Sequence, residues 1–366
     1  MKMRFTFLLV AVSALPLAAQ TSLPPGMAYV PNTLLNYDYW ADQDKNIRIS
    51  DHYAAQYLES NFQYQWYLRC LKAWGQDSLW QLAQPNPAVW EVKDLTEAQK
   101  AYLKENYWTA AEFEHYPVVG LDFMQVRLYL GWKTDMLNLA AYEAAGGKAT
   151  SGKEDYSNGI KVKQAAGFPR PFNTKEYRYR TNDATRISEL FAAFRLPTAS
   201  ELFSELPLPK KTKGKAPTPD KKLLAWLKTQ PQFGFLLYEP PKTKAAQSAL
   251  QLALEALGIR PIVDSDLDKM KKRKDTANLP LLSMEQRFPK EFYKEGFIYV
   301  CDEADLKNKQ ADPNFNPKNL RVVVLDPKKV STVAWVSEKD KLRSISIANL
   351  DERPLCGFRA MMTKKD

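Results

Sequence analysis

Apolar and polar positions along this 366-residue chain alternate with helical spacing in several places. From about Ala54 to Trp74, the residues Tyr57, Phe62, Trp66, Leu68 and Leu71 recur with spacing close to that of a helix, which predicts one there. Pro85 and Pro87 mark a loop, and Thr96 precedes good helix formers from Glu97 to Tyr107. Tyr116-Pro117-Val118-Val119-Gly120 reads as a turn. After it, Asp122 is the expected N-cap of a helix to about Ala145, with Val126, Tyr129, Leu130, Leu137 and Ala141 on its apolar face. Gly146-Gly147 is its expected stop.

The remaining pattern is more broken. Residues 24–31 (PPGMAYVP) read as a turn and a short strand, and residues 47–50 (IRIS) as its partner. Residues 147–185 are polar and irregular, and Ile187 to Phe194 reads as helical. Residues 207–222 are rich in Pro, Lys and Gly and read as an exposed linker or insertion. Two helices, 221–229 and 243–257, are expected around an apolar strand from Phe233 to Tyr238. Ile262-Val263, Phe297 to Val300, Val322 to Leu325 and Val333 to Val336 complete the expected strands. Short strands, few long helices and much loop predict an irregular α+β domain rather than a βαβ sheet.

The first nineteen residues change the picture. Lys2 and Arg4 precede an apolar run from Phe5 to Leu15, then Pro16 and the small residues Ala18 and Ala19. This is the secretory-signal pattern, with cleavage expected just before Gln20. The run is shorter than the roughly 20 apolar residues that span a bilayer. No Cys follows the expected cleavage point, so a lipid anchor is not expected, and no later stretch is long and apolar enough to span. The expected division is a signal peptide at 1–19 and one domain at 20–366, acting in the periplasm or at the cell surface.

Composition adds limits. Hydrophobic residues at 45% and aromatics at 12% suffice for a packed core. The formal charge of +10 falls to +8 without Lys2 and Arg4. The surplus is concentrated in Lys210–Lys222 (KKTKGKAPTPDKK) and Lys269–Lys274 (KMKKRK). These segments could touch an anionic surface or acidic glycan, or simply be solvated loops. No nucleic-acid module is recognisable, so a nucleic-acid partner is not expected. Three cysteines, Cys70, Cys301 and Cys356, allow one disulfide and one free thiol, and their spacing does not choose the pair. With only His52 and His115, a His-rich zinc site is excluded, and no G-x-S-x-G elbow supports a serine triad. Asp264, Asp266 and Asp268 alternate as in calcium loops, but the Gly and the twelfth-position Glu of an EF-hand are missing.

Four segments, in order, resemble the formylglycine-generating enzyme (sulfatase-modifying factor) family. They are PPGMAYVP at 24–31, Ser60-Asn61-Phe62-Gln63-Tyr64, Tyr116 to Phe123 continuing to Trp132, and Arg195-Leu196-Pro197-Thr198-Ala199-Ser200-Glu201. The closing Gly357-Phe358-Arg359 is similar to the family's Gly-Phe-Arg. Leu58, Phe123 and Leu202 stand where the family has Glu, Trp and Trp. The likeness covers 24–206 well and 330–364 loosely, and leaves about 207–329 as a Lys/Pro-rich insertion or a rebuilt half. It implies a C-type-lectin-like mixed fold. It marks Asn61, Tyr64, Pro117, Val118, Gly120, Trp132, Arg195, Leu196, Pro197, Thr198, Glu201, Gly357, Phe358 and Arg359 as fold determinants. Arg195 with Glu201, and Arg359 with another partner, are the implied internal charge pairs.

The family's oxidases hold copper with two nearby C-terminal cysteines, since soft thiolates suit Cu(I). Here Cys356 precedes Gly357, and residues 338–355 contain no second Cys. The calcium segment of the family is also degraded, with Ser331, Thr332 and Ser337 at its ligand positions. The resemblance therefore implies a pseudoenzyme without a resident cofactor, with Cys356 as a structural thiol. It is similar to the non-catalytic members of gliding-motility and type IX secretion machinery, which implies envelope proteins as partners. Two alternatives stand beside this reading. One is a thiol- or copper-dependent oxidase using Cys356. The other is a lectin-like glycan binder using Trp40, Trp74, Trp80, Trp90 or Trp108.

Overall fold

A computed structural model describes residues 23–38, 43–121, 123–147, 156–157, 160–161, 165–180, 190–191, 193–196, 219–242, 247–257, 259, 261–263, 297–298, 321–324, 343–346 and 356–363. Their architecture is α+β: helices packed with small, mostly antiparallel sheets. The main sheet joins distant parts of the chain. Strand β1 (Met27–Val30) pairs with β4 (His52–Ala55), β4 with β12 (Met361–Thr363), and β12 with β7 (Phe194–Arg195), all antiparallel. Strands β2 (Thr33–Asp38) and β3 (Gln43–Ile49) form a separate hairpin with an irregularity between Leu35 and Tyr37. Two-residue strands β5 (Tyr156–Ser157) and β6 (Ile160–Lys161) pair with each other. A second sheet has the order β10 (Arg343–Ser346), β9 (Arg321–Val324), β8 (Phe297–Ile298), β11 (Cys356–Gly357), with β8 and β11 parallel.

Two helices carry the core. Helix α1 (Asn61–Ala73) starts at a capping box. Ser60 accepts from the Gln63 N–H, and the Gln63 side chain accepts from the Ser60 N–H. It ends at Gly75, whose φ of +71° suits glycine, with Gln76 and Gly75 donating back to Leu71 and Lys72. Helix α4 (Phe123–Ala144) buries all five residues of its expected apolar face and ends in the same way at Gly146. Each large apolar side chain so buried contributes about 1.5–3 kcal/mol. Between them lie α2 (Asp77–Leu82), a 3-10 turn at Pro87–Trp90, α3 (Glu97–Asn106) with its Thr96 capping box, and a 3-10 turn at Ala111–Phe113.

The core is aromatic. Tyr129 packs on Tyr64 and Tyr67 at 5.3 and 5.7 Å, and Trp90 packs on Tyr107 at 4.5 Å. The polar tips of these rings bond loop carbonyls: Tyr64 to Ala83, Tyr107 to Pro117, Trp108 to Val119 and Trp74 to Pro169. Irregular backbone can lie against this core because the rings satisfy its carbonyls.

Several expectations are corrected. The strand at 24–31 pairs with β4, not with 47–50, which belongs to the β2–β3 hairpin. Residues 52–55 are that partner strand, so the first helix starts at Asn61 rather than Ala54. Phe233 to Tyr238 is not a strand: Pro231–Leu237 winds as 3-10, burying Phe233, Phe235 and Leu236. A short apolar run does not distinguish a strand from a tight helix. Ile262-Val263 is not a strand, although the Ile262 N–H reaches the His115 carbonyl. The irregular stretch 147–185 contains α5 (Thr174–Arg180). Phe194 is in β7 rather than ending a helix, while most of 187–193 lies outside the described residues. Helices α6 (Lys221–Leu227) and α7 (Ala249–Ala256) lie within their expected spans.

Candidate functional site

Two of the four segments that carry the resemblance, 60–64 and 116–132, meet the closing Gly357–Arg359 around Glu59. Its N–H donates to the Phe358 carbonyl at 3.1 Å, and its carbonyl accepts from the Val118 N–H at 2.9 Å. Its carboxylate accepts from the Lys133 ammonium at 2.5 Å through Oε1 and from the Tyr129 hydroxyl at 2.6 Å through Oε2. Residues Tyr129 and Lys133 are one turn apart on α4, so both face the same carboxylate. The pair is deeply buried: side-chain exposure is 2% for Glu59 and 9% for Lys133. Such a pair persists in the interior when its remaining capacity is hydrogen-bonded, as Tyr129 does here. Burial first, then the Glu59 charge and hydrogen bond, hold the Tyr129 hydroxyl well above its ordinary pKa.

The marked residues around this centre have structural roles. Buried Asn61 donates to the carbonyls of Tyr107 and Phe113 at 2.9 and 3.0 Å. Pro117 forms a bridge with Ser60. Gly120 has φ +79°, and a Cβ there would lie 3.0 Å from Val89 and 3.1 Å from the Asn86 carbonyl. The Trp132 ring stacks on Phe235 at 4.7 Å. A Cβ on Gly357 would sit 3.4 Å from Leu58, and Phe358 meets the Tyr129 ring edge-on at 5.6 Å. Arg359 is buried, with Nε on the Ala55 carbonyl at 2.5 Å and Nη2 on that of Gln56 at 3.3 Å. These bonds hold the closing segment to the end of β4.

Arg195 is half-buried in β7 and donates to the Leu196 carbonyl; Leu196 is buried. Pro197, Thr198 and Glu201 lie outside the described residues, as do Asp122, Trp40, Cys301, the three alternating aspartates, residues 210–218, the Lys269–Lys274 run, and Ser331, Thr332 and Ser337. Lys221 and Lys222 are exposed on α6. Of the tryptophans offered for glycan contact, Trp74, Trp90 and Trp108 are buried and Trp80 is half-buried. These four belong to the core and its edge.

No group of three or more His, Cys, Asp or Glu among the described residues is placed to hold a metal ion. Cys70 is a buried free thiol on α1, and burial raises its pKa, which disfavours the thiolate that Cu(I) requires. The backbone of Cys356 runs in β11 beside Phe297.

Sequence reasoning missed Glu59, Lys133 and Tyr238. The available signal was a Glu and a Lys embedded in otherwise buried stretches. Tyr238 receives a hydrogen bond from, or donates one to, His115 Nδ1 at 3.1 Å, and burial raises its pKa.

No family model matches the chain, and neither curated proteins nor solved structures provide a match. No helix among the described residues is long and apolar enough to cross a membrane.

Proposed function

We propose that this chain is an exported, non-catalytic relative of the sulfatase-modifying factor family, with a C-type-lectin-like fold. In this reading it serves as a scaffold or binding component of a cell-envelope assembly of the gliding-motility or type IX secretion kind. The observation that carries the reading is the convergence on Glu59 of segments that resemble the family: 58–61, 117–120, 129–132 and 357–359. Their side chains are consumed in caps, stacking and backbone bonds. That is what a retained fold with a lost active site requires. Strand β4 pairs with both β1 and β12, so one sheet ties the 24–31 segment to the strand that follows Gly357–Arg359. The lysine-rich stretches 210–222 and 269–274 supply anionic contact in this proposal, and its partners are envelope proteins rather than nucleic acid.

The test compares wild-type chain with Cys356→Ser. The expected result is that both recover the same envelope protein in a fixed stoichiometry, without Cys356-dependent Cu(I) binding or oxidation of a cysteine-containing peptide. Tight Cu(I) binding and peptide oxidation, both lost in the variant, would replace this proposal with the oxidase reading. Monomeric recovery from native envelopes would remove the scaffold role.

A further inference from the structure

Next to the Glu59–Lys133 pair lies a cavity of about 30 Å³, between the start of β1, helix α4 and the 231–237 turn. A single water needs roughly 10–15 Å³ by this measure, so there is room for a group of several atoms. The polar lining includes Glu59, Gln63, Lys133 and Tyr238, and Leu58, Leu137 and Leu236 contribute apolar wall.

The hydrogen-bonding capacity of this lining is lopsided. Both Glu59 oxygens already accept, one from Lys133 and one from Tyr129. The Gln63 oxygen is engaged by the Ser60 N–H and hydroxyl, both at 3.2 Å. On the donor side there is surplus. An ammonium has three N–H groups, and the described hydrogen bond of Lys133 uses one, while its Nζ also sits 5.2 Å from the Phe194 ring centroid. The Gln63 amide has two N–H groups, and its described contact, with the Phe235 carbonyl, is long at 3.5 Å. Glu59 supplies the opposite charge and Tyr129 adds only a neutral donor, so what is unmet on Lys133 is N–H capacity rather than charge. The cavity therefore favours an acceptor over a cation or a further donor.

We propose that this cavity is a binding site for a small carboxylate, held by the Lys133 ammonium and the Gln63 side-chain amide, with its alkyl end against Leu58, Leu137 and Leu236. A carboxylate supplies two acceptors, and its bond to an ammonium is charge-assisted. The low-dielectric wall strengthens that bond relative to water. A ligand of so few atoms binds weakly, at about millimolar strength. The site does not depend on the envelope reading and would exist equally in a scaffold or an enzyme.

Acetate is the probe. Saturation-transfer NMR on the acetate methyl is run with the full chain, with sodium chloride held at matched ionic strength. Two variants accompany it. Leu137→Phe fills the cavity while keeping the ion pair. The double variant Lys133→Met/Glu59→Gln removes the ammonium without stranding a buried carboxylate. The expected result is a saturable signal in wild type, lost at least tenfold in both variants and little affected by chloride. Three results overturn the proposal: no saturation in wild type, an undiminished signal in a folded variant, or equal displacement by chloride. The wild-type titration decides even if a variant fails to fold.

Discussion

Lys133 and Asp135 lie two residues apart on α4, and each is withdrawn from water by a different route. Lys133 meets an opposite charge, Glu59, which a tyrosine also supports. Asp135 has a backbone partner instead: its Oδ1 accepts the Thr174 N–H at 2.9 Å. Burial raises its carboxyl from an ordinary 3.8 to about 6, against the lowering pull of the Thr174 hydrogen bonds and of Lys175. Neighbouring Thr134 and Asn138 accept from the N–H groups of Phe194 and Phe191, so the polar side of α4 secures main chain. The difference is instructive. A charge at the junction of distant segments is met by an opposite charge, while one that organises a loop takes a backbone donor and a raised pKa instead.

The sharpest way to break the comparison is Glu59→Ala. It strands a buried ammonium and a buried tyrosine hydroxyl, and a loss of about 3–5 kcal/mol is expected in urea unfolding. Lys133→Met should be comparably harmful alone, yet the double variant Glu59→Ala/Lys133→Met should lose less than the two single losses together. Additive losses would mean that the pair does not act as a unit.

Asp135 should behave in the opposite sense. The folded chain keeps a proton there that the unfolded chain releases. Its stabilising contribution is fully present below about pH 3.8 and is lost as pH rises through about 6. Asp135→Asn retains an acceptor for the Thr174 N–H without the charge. It should flatten stability between pH 4 and 6 and raise it at pH 7 by up to about 3 kcal/mol. A variant less stable than wild type at pH 7, with the slope unchanged, would refute this assignment.

Gly120→Ala tests whether the turn leading into α4 is set by shape. Positive φ and the close Val89 and Asn86 atoms predict a loss of about 1–3 kcal/mol, read by thermal unfolding. An unchanged midpoint would mean that the turn relaxes freely. The smallest effect is expected at the periphery. Thr96→Ala removes one half of an exposed capping box and should cost about 1 kcal/mol in the same assay. These last two calibrate how much of the Glu59 effect comes from charge rather than from general fragility.

What was legible depended on range along the chain. The α3 cap at Thr96, the apolar face of α4 and its glycine stop rest on neighbours within a few residues, and the structure shows all three. The order of the segments around Asn61, Pro117, Trp132 and Phe358 was also visible. Their meeting point was not, because Glu59 and Lys133 are 74 residues apart and neither has a local signature. The expected partner of β1 failed for a similar reason: 47–49 belong to the β2–β3 hairpin, and 52–55 pair with both β1 and the distant β12.

The sequence by itself determined the start of α3 after Thr96, the apolar face of α4 and its glycine stop, and that the chain carries enough apolar and aromatic residues for a packed core. These follow from side-chain periodicity, caps and glycine geometry, which act over one or two turns. The tertiary structure alone decided strand partners, the 3-10 winding of Pro231–Leu237 and the ionic centre at Glu59. Each of these is chosen by burial against residues far away in the chain. Desolvation acts on the whole environment of a group, and that environment exists only once distant segments have packed.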